Sequence, residues 1–135
     1  MSVIKITPGY WYFCHPYSAN TDEGRIANYE LCCRRSGKLL AKGYNIFSPI
    51  VHSHAIEMAS PVLLKMSLKE RYKFWLHSID FAILEYVGFT GAILAPEWGR
   101  SKGCKAEYEW FLSHKQPNGK PHEILKYIDL MRRLK

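Results

Sequence analysis

Thr90-Gly91-Ala92-Ile93-Leu94-Ala95-Pro96-Glu97-Trp98-Gly99-Arg100-Ser101-Lys102-Gly103-Cys104-Lys105-Ala106-Glu107 passes from an unbroken apolar run, through a loop, into a capped segment. Thr90 to Ala95 carries no charge and no polar alternation, the pattern of a strand covered on both faces. Pro96 interrupts it, and Ser101 supplies an N-cap for a helix expected to run to about Lys115. Strand, loop and helix follow one another in 18 residues.

The same alternation extends outward. Gly9 to Cys14 is aromatic-rich and stops at Pro16, as a buried strand followed by a loop. Asn20 and Glu23 have capping-box spacing, and Ile26, Tyr29, Cys33 and Leu40 recur at helical intervals until Gly43. Tyr44 to Phe47 reads as a second strand, closed by Ser48-Pro49. Ile50 to Met66, with His52, His54 and Pro61, reads as a long irregular loop. Ser67 and Glu70 form another capping box, opening a helix expected to reach about Val87, with Gly88 as its stop. Beyond Gln116-Pro117-Asn118-Gly119 the pattern stays open. His122 to Leu125 reads as a fourth strand, or the whole piece to Lys135 as a helix. Strands alternating with helices, the strands being apolar throughout, predict an α/β domain with a parallel sheet sandwiched between helices.

Composition sets the limits. With 135 residues, 47% apolar and 14% aromatic, the chain fits one domain spanning 1–135 with a sizeable core and no need of disulfides. The longest apolar candidate, Phe81 to Ala95, is broken by Glu85 and two glycines and falls short of a membrane span. Met1 to Gly9 lacks the pattern of a signal peptide, so the expected location is cytoplasmic, with Cys14, Cys32, Cys33 and Cys104 as thiols. The net charge is +7, and Lys115 to Lys135 holds six basic residues against Glu123 and Asp129. This basic C-terminal segment, 116–135, is either a solvated helix face or a surface for an anionic partner. No nucleic-acid-binding motif accompanies it, so nucleic acid is disfavoured.

Open parallel sheets bind ligands at the carboxyl ends of their strands. Here those ends are Cys14 to Ser18, Ser48 to His54 and Ala95 to Gly103. Two carboxylates stand out near them. Asp80 follows Phe74-Trp75-Leu76 and precedes Phe81-Ala82-Ile83-Leu84, so its helix is apolar nearly all round and its pKa is expected to rise. The competing reading is a carboxylate paired with a basic side chain or a backbone cap. Glu107 shares a helical stripe with Cys104, Tyr108 and Phe111, near a helix start expected to keep it ionised. Two carboxyls with separated pKa values suit glycosidic-bond chemistry.

Tyr12-Phe13-Cys14-His15-Pro16-Tyr17-Ser18, Phe47-Ser48-Pro49-Ile50, Asp80, and Trp98-Gly99-Arg100-Ser101-Lys102-Gly103 leading to Glu107 together resemble the nucleoside 2-deoxyribosyltransferase superfamily. The look is closest to a little-characterised bacterial and phage branch, and the likeness spans Tyr12 to about Phe111. The resemblance implies a flavodoxin-like (Rossmann-like) α/β fold, a three-layer sandwich with a parallel sheet of four to five strands, in which Glu107 attacks the anomeric carbon of a 2-deoxyribosyl group, Tyr12 orients it, and Asp80 handles the proton of the departing base. Transfer to a second base makes a transferase, and transfer to water makes an N-glycoside hydrolase. Ser101 stands where the transferases carry aspartate and the similar deoxynucleotide N-hydrolases carry a phosphate-contacting serine. The hydrolases' Gly-Ser-x-Arg is His15-Pro16-Tyr17-Ser18 here, so Ser18, Arg25, Arg100 and Lys102, with Gly103, are the expected phosphate cradle. His52 and His54, with Ser48, are candidate contacts to the base or sugar, while Trp98 and Tyr17 read either as stacking partners of a base or as ordinary packing. No metal or organic cofactor is implied, and the histidines lack the spacing of common zinc sites. The implied partners are a nucleoside or nucleotide and a second copy of the chain, as a homodimer or larger oligomer. The rival is a catalytically silent nucleotide-binding or sensing module.

Overall fold

A computed structural model describes residues 3–133. Its element order is β1 (Thr7–Cys14), α1 (Asp22–Ala41), β2 (Tyr44–Phe47), α2 (Pro49–Met58), α3 (Pro61–Lys65), α4 (Leu68–Lys73), a π-helical stretch (Phe74–Asp80), α5 (Phe81–Val87), β3 (Gly91–Leu94), α6 (Lys102–Ser113), β4 (Glu123–Lys126) and α7 (Tyr127–Arg132). The four strands form one parallel sheet in the order β2-β1-β3-β4. This is a flavodoxin-like three-layer sandwich.

Successive side chains of a strand point to opposite faces, and β1 sorts its aromatic residues accordingly. Trp11 and Phe13 join Cys32 and Leu39 of α1, Ile50 of α2 and Tyr127 and Leu130 of α7. Tyr12 and Cys14 join Leu84 of α5 and Cys104 and Phe111 of α6. β3 divides the same way, with Ile93 on the first face and Ala92 and Leu94 on the second. At Gly91 the ladder to β4 is so close that a Cβ would overlap the Glu123 carbonyl. β1 and β3 are adjacent, yet the chain leaves β1 toward β2 and leaves β3 toward β4. The loops at their carboxyl ends therefore diverge and open a cleft.

Several elements differ from the sequence reading. Ile50 to Met66 is helical rather than irregular. Ser48 and Ser60 cap α2 and α3, accepting from Val51 N and Leu63 N, and each is followed by a proline at the first helical position. Thr21, not Asn20, caps α1 by accepting from Gly24 N. α1 turns Arg25, Cys32, Ser36 and Leu39 inward, while Ile26 and Leu40 are exposed, so the buried stripe sits one residue away from the apolar one. The Ser67/Glu70 capping box is present, but the helix it opens changes at Phe74 to π geometry, in which Phe81 N–H bonds to Leu76 O. Gly88, at φ 74°, ends α5 in the left-handed conformation. α6 stops at Ser113, two residues before the expected end. The C-terminal segment supplies both a strand, β4, and a helix, α7. Its last two residues lie outside the described residues. Among the described residues no helix is long and apolar enough to cross a membrane.

Candidate active site

A cavity of about 810 Å³ opens at the cleft between the β1 and β3 loops, within the size range of small-molecule sites. Glu107 reaches it from α6. Ser101 caps that helix, its Oγ accepting from Cys104 N at 3.2 Å, and the stripe of Cys104, Glu107 and Phe111 faces inward. Tyr12 lies behind Glu107, fully buried at the end of β1, and its hydroxyl donates to Glu107 Oε2. Asp80 reaches the same cavity from the end of the π-helical stretch. Its Oδ1 is buried without a hydrogen-bond partner. Among the described residues neither carboxyl has an ion-pair partner.

The electrostatics follow from this burial. Burial pushes Asp80 from 3.8 up to about 7. It also pushes Glu107 well above the ordinary carboxylate range, the charge of Asp80 adding to the effect and the Tyr12 hydrogen bond opposing it. The expectation that the helix start keeps Glu107 ionised is therefore corrected. Glu107 is the sixth residue of α6, beyond the first turn where the dipole acts, and desolvation outweighs it. Tyr12 is held above 10.0, first by burial and then by the charge of Glu107, so it remains a proton donor. Burial likewise keeps Cys14 and Cys104 protonated, Cys104 at about 12, as small apolar groups of the core.

Of the expected contacts, Tyr17, Ser18, Arg25, His54, Arg100, Ser101, Lys102 and Gly103 line the cavity with Asp80 and Glu107. Three do not. Ser48 is buried, with Oγ capping α2 and lying 3.3 Å from Cys32 Sγ. His52 is exposed, turned toward Ser53 Oγ and the Phe47 ring. Trp98 packs on Tyr108 with ring centroids 4.7 Å apart. Each is consumed by its own neighbourhood. Arg25 is 6% exposed and bonds Asp22 Oδ1 at 2.6 Å, leaving Nε and Nη1 without partners.

The sequence reading missed a second polar cluster on the cavity wall. Glu57, 3% exposed on α2, accepts from Trp75 Nε1 at 3.1 Å and from the Tyr17 hydroxyl at 3.3 Å, with Arg71 Nη1 3.6 Å away. The Tyr17 hydroxyl is 2.8 Å from His54 Nδ1, and the His54 ring stacks on Tyr29 at 3.9 Å. Reading 50–66 as a loop hid this cluster. On a helix Glu57 falls one turn after His54, on the same face. Basic side chains of α4 (Lys69, Arg71) and of the α6 start (Arg100, Lys102) border the cavity, an arrangement that favours an anionic or acceptor-rich ligand. Among the described residues no three His, Cys, Asp or Glu side chains converge as a metal site.

A family model described as "Domain of unknown function (DUF1937)" matches residues 9–119, which include every side chain of the cavity discussed above. The chain belongs to the DUF1937 family. No curated protein matches it. Within this DUF1937 domain, Tyr12, Asp80 and Glu107 come from three separate elements, β1, the π-helical stretch and α6, and the fold brings them together.

Proposed function

We propose that the protein cleaves or transfers the N-glycosidic bond of a 2′-deoxynucleoside or its 5′-monophosphate, as a cytoplasmic member of the nucleoside 2-deoxyribosyltransferase-like superfamily. The observation that carries this reading is the buried Tyr12 hydroxyl donating to Glu107 Oε2, while Glu107 lines the cavity together with Asp80. A buried carboxylate held by one donor at the wall of a cleft, with a second carboxyl available to give a proton, is the equipment of retaining glycosidic-bond cleavage.

In the productive state Glu107 is ionised and Asp80 protonated. The two titrate as a pair, and Tyr12 biases the pair toward ionised Glu107 because its hydrogen bond favours the charged form. A Glu107 oxygen forms a bond to C1′ as the C1′–N bond breaks, and the electron pair of that bond passes to the base nitrogen. Asp80 delivers its proton to the departing base. Water or a second base then gives its proton to the Asp80 carboxylate as it attacks C1′, which breaks the glycosyl ester, returns Glu107 as a carboxylate and leaves Asp80 protonated for the next cycle. Tyr17 and His54 border the space for the base or sugar, and Arg100 and Lys102 with Ser101 offer donors to a phosphate. The four free cysteines suit a reducing compartment. Exposed Val62, Leu64 and Leu68 offer apolar surface to the homo-oligomer that the family resemblance implies.

The test is incubation with each of the four deoxynucleosides and their 5′-monophosphates, with free base followed by chromatography. Base release supports the proposal. Tight binding of any of these compounds without base release overturns it in favour of a silent binding module.

A further inference from the structure

Arg35 of α1 does not line the cavity, yet it joins the two loops that do. Its Nη1 and Nη2 donate to Glu97 Oε1 and Oε2 at 2.8 and 3.0 Å, a bidentate pair bridging 62 positions in sequence. Nη1 also lies 3.0 Å from Nε2 of His15, which is 5% exposed. The tautomer of that imidazole follows from its surroundings. His15 Nδ1 is 2.8 Å from the Pro16 carbonyl, which only accepts, so Nδ1 carries the hydrogen and Nε2 presents its lone pair to the guanidinium. The Tyr127 ring of α7 covers the guanidinium, 5.6 Å from Cζ to centroid. His15 begins the loop that carries Tyr17 and Ser18. Glu97 lies in the loop that carries Arg100 and Ser101.

We propose that Arg35 is a positioning residue that clasps the loop after β1 to the loop after β3 through His15 and Glu97, and that protonation of His15 releases the clasp. The inference rests on the reading of the cavity as the substrate site and adds what fixes the shape of its mouth. An imidazolium has no lone pair for Arg35 and would set a second cation against the guanidinium. The groups facing His15 are Arg35 from α1, Glu97 from the loop after β3, the Pro16 carbonyl and the edge-on Phe13 ring of β1 at 5.5 Å. Glu97 is the carboxylate among them, and Arg35 engages both of its oxygens. Burial holds the imidazole below its ordinary 6.5, the Pro16 hydrogen bond opposes this, and Arg35 lowers it further against Glu97. Release therefore belongs to mildly acidic solution, with the clasp closed at neutral pH.

Amide hydrogen exchange and histidine-ring NMR between pH 7.5 and pH 5, corrected for intrinsic exchange, test this on the full chain. In the wild type, residues 15–20 and 96–101 are expected to lose protection together, at the pH where the His15 ring titrates. Arg35→Gln is expected to speed exchange in both segments at least about tenfold at pH 7.5, the loss of a charged hydrogen bond, with the β-sheet unchanged. Arg35→Lys should not rescue it, because an ammonium cannot hold both Glu97 oxygens in one plane. Unchanged exchange in either segment of a folded Arg35→Gln variant overturns the proposal. So does loosening of the wild-type loops at a pH where His15 does not titrate, a result that needs no variant to fold. These readouts need no turnover. A chain with the pH-linked loops and no base release keeps the clasp and loses the glycosidic reading, and base release with unmoved loops does the reverse.

Discussion

Replacing Asp80 with asparagine separates stability from chemistry in a single variant. The carboxyl is buried at the end of the π-helical stretch with Oδ1 unpartnered, and its pKa rises from 3.8 to about 7. Between those values the folded protein holds a proton that the unfolded chain gives up. The fold is thus favoured below about pH 4, and that advantage is lost as pH rises through about 7. At pH 8 the ionised group costs the folded state about 4 kcal/mol, at about 1.4 kcal/mol for each pH unit between the two values. Asparagine keeps the shape without the charge, though its own unpaired amide retains a penalty of about 1–3 kcal/mol. Asp80→Asn is therefore expected to be more stable than the wild type by about 1–3 kcal/mol at pH 8 and to lose most of that gain by pH 5. Urea unfolding at the two pH values measures this, and base release should fall because the amide is no proton donor. A variant less stable than the wild type by the same amount at both pH values would refute the reasoning, since it would mean that the carboxylate has a structural partner.

Other perturbations reach the rest of the site. Glu107→Ala is expected to lower base release by at least about a hundredfold with the circular dichroism spectrum unchanged, because it removes the attacking atom. Wild-type turnover would reject the assignment. Tyr12→Phe removes the hydrogen bond that lowers the Glu107 pKa, so the acid limb of the pH–rate profile should move to higher pH. An unmoved limb would show that the hydrogen bond does not control ionisation. In the wild type the rate should fall above about pH 7 as Asp80 loses its proton, a limb read from the same profile. Gly91→Ala places a methyl group on the Glu123 carbonyl and should destabilise the sheet by about 3 kcal/mol in urea unfolding, whereas an unchanged midpoint would argue against the β3–β4 register.

What could be read from the sequence depended on how each residue is used. β1 and β3 were legible because both faces of the central strands are covered, so Tyr12, Phe13, Ile93 and Leu94 form continuous apolar runs. Ser101 and Glu107 were legible through a cap and a stripe on one regular helix. Asp80 stood out as one carboxylate among aromatic and aliphatic neighbours. α1 was misaligned because its inner face includes Arg25 and Ser36, and counting hydrophobic residues cannot find a buried guanidinium. α2 and α3 were hidden by histidines and prolines, although Ser48-Pro49 and Ser60-Pro61 are the same N-terminal signal twice. The Arg35–Glu97 and Glu57–Trp75 pairings join residues far apart in the chain, and no local pattern announces them. The ionisation of Glu107 was misjudged for the same reason. Its pKa is set by what the folded core excludes.

The widened coil over Phe74–Asp80 makes chain length a determinant in its own right. With bonded partners five positions apart rather than four, it accommodates one residue that a regular coil of equal height would expel. Deleting a residue there would let the coil tighten to ordinary pitch with the flanking arms nearly in register, whereas a deletion in the regular helix beside it would rotate the preceding arm by about 100° relative to Asp80. Whether an acidic group meets Glu107 then depends on spacing as much as on identity. In comparisons between relatives, the placement of gaps across this stretch carries information that matching of letters alone would discard.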